Sequence, residues 1–323
     1  MKWLWYLMMV LVAMPGGAQA QGLAGPLEPR PISAERWTES FTVIADLEGD
    51  VYLKVQALVT NVGVGDGKAV CRVLVTRPGR EPLRLSQKAG DDWQFDARSE
   101  TLRVGRCALS NAVDGLRVHA VFDELSLDLY YAARAKRHQV PDGFLSNGDA
   151  FYEYDVQLPW ASVSANLTEG HAKATVRGFG FVDHSRSTAM PRDIAYRWFR
   201  FLGLNDGHSS MFRVRTDALG HHEKGWWWEQ GDPLPRLGKP SVVGFSDVPE
   251  GADFRFTIHD GKVVYEVHVD ELLLRQAPLE ELGLMGKMIQ PWLGRPETRT
   301  YRARVKKGEE QWRGLLEIAT NYD

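Results

Sequence analysis

The chain has 323 residues, 44% of them hydrophobic and 25% charged, with a formal net charge of −3 and a pI near 6.3. That balance leaves no basic field for a nucleic-acid backbone, and the short cluster of Arg134, Lys136 and Arg137 reads as a solvated loop. Two cysteines, Cys71 and Cys107, without a C-x-x-C pattern leave no thiolate zinc site.

In chain order, the opening MKWLWYLMMVLVAMPGGAQA (1–20) reads as a cleavable signal peptide. Lys2 supplies the positive start, Trp3 to Met14 the apolar stretch, and Ala18-Gln19-Ala20 the small-residue cleavage site. The apolar run is shorter than the roughly 20 residues that span a bilayer, which ranks cleavage above an uncut anchor. The expected product is periplasmic or secreted, with no transmembrane segment after cleavage. Residues 21–36 are Pro/Gly-rich and non-periodic, an extended lead-in.

Strand signals then dominate. Val51 to Thr60 alternates Val51, Leu53, Val55, Ala57 and Val59 against Tyr52, Lys54, Gln56, Leu58 and Thr60, and Asn61 to Gly67 reads as a turn. Ala69–Thr76, Leu83–Ser86, Trp93–Asp96, Leu116–Phe122 and Leu125–Ala132 continue the style, separated by turn pairs such as Pro78-Gly79 and Asp114-Gly115. Cys71 and Cys107 sit in strand-like segments, where one disulfide in an oxidising compartment and two buried thiols fit equally well. A boundary is expected at Leu158-Pro159-Trp160, dividing a first β domain (37–157) from a second (158–323).

In the second half, Gly225-Trp226-Trp227-Trp228-Glu229 places Trp226 and Trp228 on one strand face and Trp227 on the other. Phe254–His259 and Lys262–Val269 form a hairpin around Asp260-Gly261, and Thr298–Val305 and Gln311–Ala319 another around Lys307-Gly308. Pro278 to Ile289 is the best helix candidate, with Leu279, Leu282, Met285 and Met288 as a core-packing stripe. Turns at roughly 8–12-residue spacing predict an all-β sandwich or barrel architecture with one or two short helices. No strand–helix alternation, Walker loop or G-x-S-x-G elbow occurs, and His184, His208, His221 and His222 lack ligand spacing, so neither cofactor nor metal is expected.

The densest stretch is Gly178-Phe179-Gly180-Phe181-Val182-Asp183-His184-Ser185-Arg186, followed by Pro191 and the aromatic segment Tyr196 to Phe201. The glycines allow a backbone or a ligand to come close. Asp183 and His184 are adjacent, so a regular strand sends them to opposite faces, and only a bulge turns both inward.

The order G-x-G-x-x-D-H, then Pro191, then Arg197-Trp198, resembles the AttH/hydroxyneurosporene-synthase superfamily. That group includes carotenoid hydratases, relatives of tocopherol cyclase, kievitone hydratases, fungal Diels–Alderases and survival-factor lipid-binding proteins. Glu39–Phe41, Val51–Gly63 and Leu158–Val163 are similar to the survival-factor type. The resemblance spans Trp37 to the C-terminus and is specific across Gly178–Trp198. It implies two tandem antiparallel lipocalin-like domains with a site for a hydrophobic small molecule, lipid or isoprenoid-like, near their junction. Ser185-Arg186-Ser187 departs from the family, many of whose members carry Asn or Ser and then Trp-Gly there.

Two functions are compatible with that resemblance, and a third reading is a structural or accessory envelope protein with a filled core and no cavity. A binding protein would use Phe181, Tyr196, Arg197, Trp198, Trp226 and Trp228 around its ligand. A cofactor-free hydratase, cyclase or isomerase would add Asp183 as a proton donor kept neutral by burial, with His184 orienting water or substrate and aromatic faces steadying a carbocation. The bland alternative has Asp183 and His184 capping a loop, with Asp183 paired to Arg186, Arg192 or Arg197. An Arg partner for Asp183 favours binding or a structural, accessory envelope role over chemistry.

Overall fold

The computed structural model describes residues 25–62, 66–137, 140, 143–217, 222–229, 232–237, 240–245, 251–281, 287–288, 290 and 294–322. The signal-peptide segment 1–20 lies outside the described residues, as does His221.

The first sheet contains β1 (Thr38–Leu47), β2 (Val51–Thr60), β3 (Lys68–Thr76), β4 (Leu83–Gly90), β5 (Trp93–Asp96) and β6 (Thr101–Val104). It continues through β7 (Cys107–Ala112), β8 (Gly115–Val121), β9 (Ser126–Ala133), β10 (Phe144–Asn147), β11 (Ala150–Glu169) and β12 (Ala172–Ser187). Its order is β4-β3-β2-β1-β12-β11-β9-β8-β7-β6-β5, with β10 added on β11, and it curls into a nearly closed barrel. A short helix α1 (Pro191–Ile194) leads to the second sheet.

The second sheet comprises β13 (Arg197–Leu204), β14 (Ser209–Thr216), β15 (His222–Glu229), β16 (Asp232–Leu237), β17 (Ser241–Val243), β18 (Phe254–Asp260), β19 (Val263–Gln276), β20 (Arg295–Lys307) and β21 (Glu310–Tyr322). The order β16-β15-β14-β13-β21-β20-β19-β18-β17 makes a half-barrel. The chain is therefore all-β and antiparallel, two lipocalin-like units in tandem. No helix among the described residues is long and apolar enough to cross a membrane.

Three buried clusters organise the molecule. Phe41, Val43, Val55, Cys71 and Val182 fill the barrel, and Phe199, Phe201, Phe212, Trp227 and Leu316 fill the half-barrel. Between the sheets lies a third cluster with Ile44, Tyr52, Tyr154, Phe181, Met211, Trp226 and Trp228. Strands β1, β2, β12, β13, β14 and β21 are thus sandwiched, one face toward their own core and the other toward the opposite sheet. That is why β14, SSMFRVRT, is buried along its whole length despite two arginines.

The sheets divide at 188–196, later than the expected boundary at 157/158. Leu158-Pro159-Trp160 lies inside β11, at register shifts between Val156 and Leu158 and between Leu158 and Ala161. Proline offers no N–H to the ladder and is tolerated at such bulges, so a bulge mimicked a domain edge in the sequence. The lead-in is not a free extension either. Leu27 is buried in the barrel core, and Gln157 Nε2 donates to the Pro26 carbonyl at 2.8 Å, so the described part of this segment packs on the barrel. The helix expected over Pro278–Ile289 is present as α2 (Pro278–Glu281). Leu282 and Met285 lie outside the described residues, and Met288, expected in the core, is 66% exposed.

Gly180 shows what the paired glycines are for. A Cβ there would stand 2.3 Å from the Tyr131 ring and 2.8 Å from the Ile44 carbonyl oxygen, so protein atoms and not a ligand occupy the space. Gly180→Ala is expected to destabilise the fold by about 1–3 kcal/mol through overpacking, read as a lower urea midpoint at unchanged slope.

Candidate ligand site at the domain junction

Strand alternation decides which side chains meet between the sheets. On β12, Phe181, Asp183 and Ser185 face the second sheet while Val182 and His184 face the barrel. The β1–β12 pairing is unbroken, with Thr42 opposite Asp183 and Phe41 opposite His184, so no bulge brings the two together. Instead, His184 Nε2 lies 2.7 Å from Glu39 Oε1, its ring is stacked 4.4 Å from Phe41, and Glu39 Oε2 accepts from the Arg30 backbone N–H at 2.7 Å. His184 belongs to a buried pair inside the barrel and does not border the junction.

Asp183 lines a cavity of about 150 Å³ between the sheets. The barrel side contributes Thr42, Lys54, Tyr152, Tyr154, Asp183 and Ser185, and the half-barrel side Trp198, Arg200, Arg213, Glu317 and Ala319. The space is smaller and more charged than an apolar lipid pocket. Arg200 reaches across to bond both Asp183 and Glu317, and Lys54 Nζ bonds Glu317 at 3.0 Å. Tyr154 Oη donates to Asp183 at 3.4 Å. The guanidinium carbon of Arg213 lies over two rings, 3.9 Å from the Tyr154 centroid and 4.0 Å from that of Trp198, and Nη2 donates to Tyr152 Oη at 2.8 Å.

The partner of Asp183 is therefore Arg200. Arg186 pairs with Glu153 at 3.4 Å, Arg197 stacks over Tyr196 and Phe245, and the Arg192 side chain lies outside the described residues. Of the residues singled out from the sequence, Asp183 and Trp198 line the cavity. Phe181, Trp226 and Trp228 pack in the surrounding interface core, whereas Tyr196 and Arg197 sit away from the cavity. Sequence reasoning missed Lys54, Tyr152, Tyr154, Arg200, Arg213 and Glu317. Among the described residues no group of three or more His, Cys, Asp or Glu could hold a metal ion, and His208 stacks on Trp312.

Electrostatics follow from this enclosure. Burial pushes the Tyr154 phenol up, and the nearby Asp183 charge adds to that, so the ring keeps its proton and acts as a donor. Burial would also raise the Glu317 carboxyl, but the charges of Arg200 and Lys54 outweigh it and bring the group down to about 2. A carboxyl depressed in the folded state stabilises the fold above its ordinary value near 4.5 and loses that contribution as pH falls toward 2. The shift corresponds to something on the order of 3 kcal/mol. The stability advantage of the native chain over Glu317→Gln, measured by urea unfolding, should be full near neutrality and shrink between pH 4.5 and 2. An advantage independent of pH would show that this carboxylate carries no charge in the fold.

No protein-family model matches the chain, and no curated protein matches it in sequence. Its fold is one shared with solved structures. Solved structures similar to it include a protein described as AttH from Nitrosomonas europaea, with TM-score 0.64 and 12% identity over 92% of this chain and 98% of that one. CghA with Sch210972 gives TM-score 0.61 and 10% identity, covering 90% of this chain and 89% of that one. Kievitone hydratase from Nectria haematococca gives TM-score 0.56 and 11% identity, covering 90% of each. At such identities the likeness is one of fold.

Proposed function

We propose that this protein is an exported carrier or sensor that binds one small organic molecule in the cavity between its two sheets. The observation that carries the reading is the cavity itself, about 150 Å³, walled by the rings of Tyr152, Tyr154 and Trp198 and placed where the two units meet. A space of this size holds a benzene-sized group. It therefore takes a compact molecule, or one end of a longer lipid or isoprenoid-like one. Export is supported by the 1–20 segment and by the Cys71–Cys107 disulfide, a bond that persists in oxidising compartments.

Native mass spectrometry of the purified mature chain is expected to show a bound organic mass that is released on denaturation. Trp198→Ala should weaken rebinding by about tenfold or more through loss of the aromatic wall. A chain that carries no such mass, and takes none up from a panel of small aromatic and aliphatic compounds, overturns the reading. Fractionation of cells expressing the full chain should find it outside the cytoplasm with Gln21 at its N-terminus; retention of residues 1–20 in the cytosolic fraction would overturn the export part.

A second reading is a cofactor-free hydratase, cyclase or isomerase, favoured by fold likeness to kievitone hydratase. It asks Asp183 to deliver a proton. The ion pair with Arg200 forms with the carboxylate ionised, which works against that role and toward binding.

A further inference from the structure

We infer that the ligand of the junction cavity carries a carboxylate and that Arg213 is its anchor; this rests on the binding reading above. The charges around the cavity do not balance. Among the described lining residues, Lys54, Arg200 and Arg213 face it, against Asp183 and Glu317. Lys54 and Arg200 share the two carboxylates between them. Arg213 is 93% buried by its 7% exposure, yet among the described residues no carboxylate lies within bonding reach of its guanidinium. A buried cation without a counter-ion is costly, and buried charges are ordinarily paired. Among the described lining residues the cations thus outnumber the carboxylates by one, and an anionic group would suit the site.

The geometry says where it goes. Tyr154 and Trp198 hold the guanidinium carbon near 4 Å from their ring centroids, so the charge is met by aromatic rings and not by a carboxylate among the described residues. Nη2 spends one donor on Tyr152 Oη. A guanidinium has five N–H donors in a fixed fork, and among the described residues only the one to Tyr152 is engaged, which leaves donors for a planar acceptor. A carboxylate matches such a fork with two parallel hydrogen bonds. The surplus is a single positive charge, which suits a carboxylate better than a phosphate dianion. The rings of Tyr152, Tyr154 and Trp198 then favour a flat group behind the carboxylate, and the volume of about 150 Å³ accommodates one ring. The class indicated is an aryl or conjugated carboxylic acid, or the carboxylate end of a longer one.

The test uses the mature full-length chain, with benzoate and cinnamate as probes and benzamide and cinnamamide as neutral counterparts of the same shape. Binding is read by tryptophan fluorescence and calorimetry, alongside mass spectrometry of solvent extracts of the purified protein. The acids should bind about tenfold or more tightly than the amides. Arg213→Met should erase that preference, and Arg213→Lys, which keeps the charge and loses the fork, should retain part of it. A carboxylic acid in the extract is the matching native result. Equal binding of acids and amides, unaffected at Arg213 but lost in Trp198→Ala, keeps the cavity reading and overturns the anion. A neutral molecule in the extract does the same. No binding of any probe together with an empty extract overturns both.

Discussion

Arg200→Met is expected to destabilise the folded chain by roughly 3–5 kcal/mol, the cost of leaving buried charge without its partner. Arg200 projects from β13 across the junction and bonds Asp183 of the first sheet and Glu317 of its own. Burial would lower its proton affinity, but Glu317 and Asp183 together raise it well above the ordinary arginine value, so it is a fixed cation. In the variant, Glu317 keeps Lys54 at 3.0 Å, while Asp183 keeps only the Tyr154 hydroxyl at 3.4 Å. The loss should therefore be traced to Asp183. The double variant Arg200→Met/Asp183→Leu should recover much of it, because replacing a buried ion pair by apolar groups of similar volume is often neutral. Urea midpoints of the two single variants and the double variant measure the coupling; additive losses would show that the two side chains do not depend on each other.

The same network accounts for the way the two units are joined. The interface has an apolar body in Tyr52, Phe181, Leu202, Met211, Trp226 and Trp228. Around it, charged side chains cross from sheet to sheet: Lys54 to Glu317, Arg200 to Asp183, and Arg302 to Asp46 at 2.5 Å. Arg313 to Asp50, at 3.4 Å between exposed side chains, lies at the rim and contributes little. Apolar contact supplies the adhesion, and the buried charges fix which residues stand opposite each other. The small polar cavity lies among these charges, between two otherwise packed faces.

The strand pattern was legible because alternation and turn chemistry are local. VYLKVQALVT alternates, Asp260-Gly261 turns with Gly261 at φ 59°, and β2 and the β18–β19 hairpin follow. Trp226 and Trp228 separate from Trp227 for the same reason. The site was far less legible. Lys54, Arg200, Arg213 and Glu317 are charged positions in alternating strands, and alone such positions read as solvent-facing. Only the packing of one sheet against the other turns those positions inward. A clue existed in the company they keep: Trp198, Arg200 and Leu202 share one face of β13, and Met211 and Arg213 one face of β14, which solvent-facing surfaces rarely combine. Asp183 and His184 were conspicuous as neighbours in sequence, but the unbroken register of β1 with β12 sends them to different sides of the sheet.

Removing the disulfide should be the other large effect. Cys71 lies on β3 and Cys107 on β7, toward opposite ends of the first sheet's strand order, with Cα atoms 5.8 Å apart. The bond therefore sits where the curled sheet comes round to meet itself. Around it the closure relies on side chains: Trp93 Nε1 donates to the Gly67 carbonyl at 2.7 Å, and Gln87 Oε1 accepts from the Arg106 N–H at 2.7 Å. The bridge spans 36 residues of chain, and the loop-entropy relation for that length gives roughly 4 kcal/mol of stabilisation. The Cys71→Ala/Cys107→Ala chain is expected to lose about 3–4 kcal/mol, read as a lower urea midpoint. Both cysteines are buried, so a thiol reductant should leave the native protein oxidised until it opens. Reductant should accordingly lower the melting temperature of the wild-type chain to that of the double variant while leaving the variant's unchanged. Equal stability of wild type and variant without reductant would show that the side-chain contacts close the barrel by themselves.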